Sequence, residues 1–220
     1  MKNKIIKSTL LKSEKYIYIV VVLMTLSFFG CSDDEDGGDF PSVRTELVEA
    51  MTGNDKNVKE IRLDNGKTYN VSQSIGTNTA DTIYRCVCSY VYDSLSRKLS
   101  VYSLTVVPSS YPIDSKKLPP EQSGPFKLFS TWITNRYINA YLSYQTTSKN
   151  PHRFLFVEDS ITVHSNGTRC ANVRLFHEVP ADDPSSYSQK QYVSFPSYYY
   201  HGKTDTIHLE IDDKTIIALP

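Results

Sequence analysis

The sequence predicts an all-β protein. Two observations carry that expectation. Short segments alternate apolar and polar positions with period two and are rich in Tyr, Val, Ile and Thr, side chains that pack well on a pleated surface. Turn-forming residues separate them at intervals of roughly ten to fifteen residues, a spacing that suits a sandwich of short strands better than βαβ crossovers.

The chain begins with an address. Residues 1–15 carry Lys2, Lys4, Lys7, Lys12 and Lys15. The apolar run Tyr16–Phe29 follows. It holds about fourteen residues where a membrane span needs roughly twenty, so it reads as the core of an export signal. The run ends in Phe28-Phe29-Gly30-Cys31. A small residue before a Cys at this point resembles the bacterial lipobox, although Phe28 stands where Leu is commonest. That resemblance implies a signal peptide over residues 1–30 and a diacylglycerol on the Cys31 sulfur. Each buried acyl CH₂ contributes about 0.8 kcal/mol, and two or more chains make such an anchor stable. Residues 31–39, Cys-Ser-Asp-Asp-Glu-Asp-Gly-Gly-Asp, hold no aliphatic or aromatic side chain and read as an acidic flexible tether. A calcium loop needs a bidentate Glu at its twelfth position; counting from Asp34 or Asp36 reaches Thr45 or Leu47, so that reading is rejected.

Removal of the signal changes the charge balance. The 220-residue chain has 24 basic and 24 acidic residues; removing residues 1–30 leaves 19 and 23, a net charge of −4. A mildly acidic chain is a poor binder of phosphate backbones. With 40% hydrophobic and 12% aromatic residues it is not a disordered chain. Nine glycines, clustered only at Gly37-Gly38, supply no phosphate-cradling loop.

In the body, helical periodicity appears only around Thr45–Met51, a stretch short enough to be a strand as well. Val58–Leu63 and Lys67–Val71 flank Asp64-Asn65-Gly66, whose Asn-Gly supplies the positive φ of a tight hairpin turn. Thr82–Tyr92 places Tyr84, Cys86, Cys88, Tyr90 and Tyr92 on one face, with Ile83, Val87 and Val91 opposite beside Arg85 and Ser89. Lys98–Val107 completes a first β cluster over residues 40–107. Residues 108–125 hold five prolines, which fix φ and remove donors, so no central strand or helix passes and the stretch reads as an inter-domain linker. Residues 126–220 form the second domain, with strands expected at Lys127–Ile133, Tyr137–Tyr144, Arg153–Val157, Ala171–Glu178, Tyr192–Phe195, Asp205–Ile211 and Thr215–Leu219.

One order of motifs resembles a known family. It runs from the Cys31 lipobox and acidic tether through Gly38-Asp39-Phe40, Ile61–Gly66, the Tyr-rich strand around Tyr90 and Trp132…Tyr137–Tyr141. It continues with Arg174–Glu178, Asp182-Asp183-Pro184 and Tyr192–Phe195. This succession resembles the NigD-like lipoproteins of Bacteroidetes over essentially the whole chain. The resemblance implies a small OB-like β-barrel followed by an antiparallel β-sandwich, lipid anchoring in the outer membrane, and no enzyme. The acidic cluster after Cys31 resembles the surface-export signal of such lipoproteins, which implies a protein facing the cell exterior. Asp81-Thr82-Ile83, Asp93-Ser94-Leu95, Asp159-Ser160-Ile161 and Asp205-Thr206-Ile207 each match the Asp-Ser/Thr-aliphatic sequon of Bacteroidetes O-glycosylation, making Thr82, Ser94, Ser160 and Thr206 candidate sites.

Chemistry-bearing residues are sparse. Cys86, Cys88 and Cys170 are read as three small buried hydrophobes, with a bridge from Cys86 or Cys88 to Cys170 as the alternative; a bridge between strand neighbours two apart would be strained and no fourth zinc ligand is spaced to help. His208 and Glu210 share a strand face, and His177 precedes Glu178, without the three converging ligands of a metal site. No nucleophile elbow or Cys-His signature occurs. Asp159, Asp182 and Asp183 read as turn formers. We therefore expect no catalytic site, no metal and no cofactor. The aromatic run Tyr198-Tyr199-Tyr200 is the candidate ligand contact, because consecutive residues on extended backbone face opposite ways and expose at least one ring; Tyr137, Tyr141 and Tyr144 are candidate additions. Trp132 reads as core. The functional expectation is a non-catalytic surface binding module for an unidentified protein, with bacteriocin-related interactions in view. A surface glycan-binding lipoprotein is the alternative, and a secreted hydrolase the weaker one.

Overall fold

The computed structural model describes residues 42–118, 123–147, 151–180 and 187–220. The lipobox Cys31, the tether, and Asp182 and Asp183 lie outside the described residues. Everything below concerns the compact unit Pro41–Pro220.

Five strands close a barrel: β1 (Arg44–Thr52), β2 (Val58–Leu63), β3 (Thr68–Val71), β4 (Ile83–Asp93) and β5 (Lys98–Val106), in the order β1-β2-β3-β5-β4. β3 and β5 run parallel and the other pairs antiparallel, the small OB-like module that the family resemblance implies. Its interior is filled by alternate residues of the strands, among them Val48, Ala50, Ile61, Cys86, Cys88 and Tyr90. β1 is a strand and not a helix. Leu47, Val48, Glu49 and Ala50 are buried in succession because the strand packs on both faces, which erases the period-two signature from its sequence. The hairpin between β2 and β3 has a three-residue loop. Gly66 N–H donates to Leu63 O at 2.9 Å and Leu63 N–H to Lys67 O at 2.9 Å. Gly66 alone of that loop has positive φ, +86°, so the turn is a type I turn with a glycine bulge instead of an Asn-Gly I′ turn.

The second module is a sandwich. A five-stranded sheet in the order β13-β12-β10-β9-β6 packs on a three-stranded sheet, β11-β8-β7. The strands are β6 (Ile113–Asp114), β7 (Lys127–Ile133), β8 (Tyr137–Thr146), β9 (Arg153–Val163), β10 (Arg169–Glu178), β11 (Tyr187–Pro196), β12 (Thr206–Ile211) and β13 (Lys214–Ala218). β10–β12 and β6–β9 are parallel pairs, so this sandwich is mixed where an antiparallel one is expected. Ile138, Ala140, Leu142, Val193 and Phe195 from the small sheet meet Phe156, Val173, Leu175, Ile207 and Leu209 from the large one. Phe156 and Phe195 rings stand 4.9 Å apart, linking β9 to β11.

The proline-rich stretch is stitched to the sandwich. Ile113–Asp114 pairs with Val157–Glu158 as a short parallel edge strand, where proline-rich chain is tolerated. Asp114 then caps a single 3-10 turn by accepting from Lys116 N–H at 2.9 Å. Pro108 O accepts from Ser194 N–H at 3.0 Å, and Gly124 N–H donates to His177 O at 2.8 Å. A side chain at Gly124 would put its Cβ 2.1 Å from Val179, so only glycine lets the chain approach β10 this closely.

Candidate functional site

The small sheet buries one face in the sandwich core and one end of the other face against the barrel. Even-numbered residues of β8 enter the sandwich core; Tyr137 and Asn139, with Ser194 of β11, turn towards β1 and β4 of the barrel. There the sequence places charges inside strands. Arg85, in the middle of β4, donates from both terminal nitrogens to the Asp64 carboxylate at 2.6 and 2.8 Å. It also donates to Ser194 Oγ at 3.2 Å and Asn139 Oδ1 at 3.1 Å, and its guanidinium lies 4.0 Å from the Tyr137 ring centroid. Beside it Glu49, only 2% exposed, accepts from Tyr137 Oη at 2.7 Å, from Arg136 Nε at 3.0 Å, and from Arg62 Nε. Burial opposes the charge of Glu49, but the hydrogen bonds from Tyr137 and Arg62 and the charges of Arg136 and Arg62 outweigh it and hold the carboxyl below its ordinary range. Burial and the bond to Glu49 push the Tyr137 phenol well up. This network is a lock between the two β modules. Its charges are paired with one another, and no hydroxyl or thiol in it stands next to an unpaired base. Sequence reading noted Arg85 on its strand face without assigning it a role; an Arg inside an otherwise apolar strand was the available signal.

A cleft lies on each side of the lock. The first, about 310 Å³, is lined by Ile83, Arg85, Tyr111, Tyr137, Pro196 and Tyr198, with Ser109 and Ser110. The tyrosine run sits here, but not as expected. Ser197–Tyr200 is a 3-10 turn and not extended chain, and the turn carries Tyr200 into the core, where it is fully buried and donates its hydroxyl to Glu158. Tyr200 therefore offers no ring to a ligand. Tyr198 and Tyr199 are half-buried, and their rings are already engaged. Arg136 lies 4.1 Å from the Tyr198 centroid, Lys203 Nζ lies 3.5 Å from that of Tyr199, and Tyr111 packs against both. Tyr137 and Tyr144 are buried; Tyr141 is half-buried.

The second cleft, about 380 Å³, has Leu47 and Val87 of the barrel with Trp132 and Tyr192 of the small sheet, and polar residues Thr45, Glu46, Asp64 and Thr134. Trp132 is not a core residue: it is half-buried, on the small-sheet face opposite the sandwich core, because it pairs with Asn139, which has the parity that faces away from that core. From it an aromatic row crosses the sheet. Trp132 and Tyr192 centroids are 6.1 Å apart, Tyr192 and Tyr141 4.7 Å, and Tyr141 and Phe129 5.5 Å. Phe129 is 42% exposed, and the ammonium groups of Lys127 and Lys190 stand 5.6 and 5.5 Å from its ring centroid. Four partly exposed rings in one row are an aromatic feature of the kind that marks binding surfaces. The register Tyr141↔Tyr192 puts two of them directly opposite each other, which no local sequence pattern reveals.

The remaining candidates separate. Cys86, Cys88 and Cys170 are free, and each is at most 1% exposed. Burial pushes the Cys86 and Cys88 thiols up to about 12, so the barrel recess that Cys86 helps line has no reactive thiolate. His208 and Glu210 project beside Asn172 and Arg174 on the five-stranded sheet. His177 is buried against His152, with Nε2 2.8 Å from its Nδ1. Among the described residues no three His, Cys, Asp or Glu side chains converge on a point that could hold a metal. Asp159 is paired with Arg174 at 3.1 Å. Ser94 and Ser160 are exposed; Thr82 and Thr206 are half-buried.

A closed five-stranded barrel locked to a mixed sandwich defines the class: an all-β, two-module protein. Solved structures share this fold. A NigD-like immunity protein from Bacteroides caccae superposes with a TM-score of 0.61 at 23% identity, over 82% of this chain and 94% of that one. A provisionally named toxin-related protein from Parabacteroides distasonis gives 0.58 at 11% identity over 80% and 91%. A Bacteroides fragilis protein provisionally named a lipoprotein gives 0.52 at 11% over 82% and 96%. No protein-family profile and no curated protein matches the sequence. These structural likenesses show a shared fold, and one of the structures that shares it is a NigD-like protein.

Proposed function

We propose that this chain is a non-catalytic lipoprotein of the outer membrane, anchored through Cys31 and facing the cell exterior, that works by binding a partner on the aromatic row and its terminal cleft. The observation that carries this reading is the row Phe129–Tyr141–Tyr192–Trp132, partly exposed on a sheet whose other face is spent on the sandwich core. Large apolar rings left at a surface cost hydration unless something covers them. The names of the structural neighbours, an immunity protein and a toxin-related protein, support a bacteriocin-related partner. The lipobox and the acidic run after Cys31, read from the sequence, support attachment outside the cell.

The test is surface cross-linking on intact producer cells, with the native lipoprotein as bait, against a Tyr141→Ala/Tyr192→Ala variant. Recovery of the same partner with the native protein and its loss with the variant is the expected result. Equal recovery with both would remove the row as the contact surface. A Cys31→Ser protein is expected to leave the membrane fraction.

A further inference from the structure

We propose that the row and its cleft form one extended site for an anionic oligosaccharide, a glycan bearing uronate or sulfate groups. This rests on the reading that this face is the contact surface, and it names the ligand. At the cleft, Trp132 meets Tyr192 at 86°, so their planes make a corner and not a closed stack. Leu47 and Val87 add apolar surface, Thr45 and Thr134 add hydroxyls, and Glu46 and Asp64 add two carboxylates, so this end takes the hydroxyls of a sugar and leaves its acidic groups to the far end. A pyranose has the matching division. Its C–H faces pack on aromatic and aliphatic carbon, and its ring hydroxyls need donors and acceptors at the edge. Asp64 keeps acceptor capacity beyond its two bonds to Arg85.

From the corner the row continues through Tyr141 to Phe129. Tyr141 and Tyr192 lean at 30° with centroids 4.7 Å apart, so each covers a face of the other and the pair presents edges and phenol hydroxyls. At the far end stand Lys127 and Lys190, on β7 and β11, either side of Phe129. Neither forms an ion pair with a carboxylate among the described residues. Two ammonium groups beside an apolar ring donate hydrogen bonds to any sugar hydroxyl, but only a negative group adds Coulomb attraction to them. A polar corner at one end and paired cations at the other fit a chain of sugars with acidic substituents.

Trp132 is the only tryptophan of the chain, so its fluorescence reports the cleft directly. The full-length protein in detergent is titrated with oligogalacturonate, with chondroitin sulfate, and with neutral dextran. The expected result is a saturable change with at least one charged glycan and binding of dextran at least about tenfold weaker. Lys127→Ala/Lys190→Ala should weaken the charged glycan by about tenfold and flatten its salt dependence, with an unchanged melting temperature. No saturable change with either charged glycan, or an unchanged affinity in the lysine variant, overturns the assignment. If glycans fail while the Tyr141→Ala/Tyr192→Ala variant loses a cross-linked protein on cells, the occupant is a protein and the contact surface stands. If that variant changes neither, both readings fall.

Discussion

Arg85 and Asp64 join the centre of one strand to the turn of a neighbouring hairpin, guanidinium to carboxylate, through two hydrogen bonds of 2.6 and 2.8 Å. The Arg85 side chain is 1% exposed and that of Asp64 22%. The pair matters because Arg85 also reaches Ser194 and Asn139 of the sandwich. One cation thus ties the barrel to its partner module.

Removing one member of such a pair leaves the other buried and uncompensated. Asp64→Ala is expected to cost about 3–5 kcal/mol of stability, and Arg85→Met/Asp64→Ala less than the sum of the singles. Urea unfolding of the four proteins of the cycle measures this. Simple additivity would show that the pair is not coupled.

The sandwich core predicts a second loss. Phe195 is fully buried against Phe156, and Phe195→Ala should cost about 3–5 kcal/mol, while Phe129→Ala, at the surface, should cost less than about 1 kcal/mol. Thermal melts of the two variants check the contrast.

Two buried groups give stability a pH dependence in separate windows. Burial first, and then the nearby charge of His152, holds the His177 pKa below its ordinary value. A folded pKa below the unfolded one means the unfolded chain takes the proton first, so stability is full above roughly pH 6.5 and declines as the pH falls towards the folded value. Glu49 also has a lowered folded pKa, so its contribution is present above the ordinary carboxylate range of roughly 4.3 and is lost at lower pH. Denaturant stability measured from pH 8 to 3 should show both phases. His177→Phe should remove the first and Glu49→Gln the second.

The thiols should be silent in the native protein. Cys86 and Cys88 are buried and their pKa values are pushed up to about 12, so Ellman's reagent at pH 8 is expected to react slowly until denaturant is added. Rapid native labelling of Cys86 or Cys88, located by peptide mapping, would contradict the packed barrel interior.

Among the four sequons, Ser94 on the turn after β4 and Ser160 on β9 are the exposed hydroxyls. We predict glycan increments at these two positions in protein from its native host. An intact mass equal to the lipidated polypeptide alone would refute it.

Much of this molecule is legible in its sequence because strand formation is local. Thr82–Tyr92 alternates because one face fills the barrel, and the strand runs from Ile83 to Asp93. The Asn65-Gly66 turn reads correctly as a hairpin because Gly66 must adopt positive φ, whatever lies around it. The strands of the sandwich read correctly for the same reason. Tertiary structure decided the rest. β1 hides its alternation because both its faces are buried, a property of its neighbours. Trp132 and Tyr200 exchange their expected places, the first on the surface and the second in the core. A single large aromatic looks the same in sequence on either side of a sheet. Arg85 finds Asp64, Asn139 and Ser194 at separations of 21, 54 and 109 residues. The row from Phe129 to Trp132 exists only when β7, β8 and β11 lie in register. Period and turn chemistry act over a few residues, and the chain carries them everywhere. Which face meets which depends on desolvation summed over distant strands, and that sum is defined only once the chain has closed on itself.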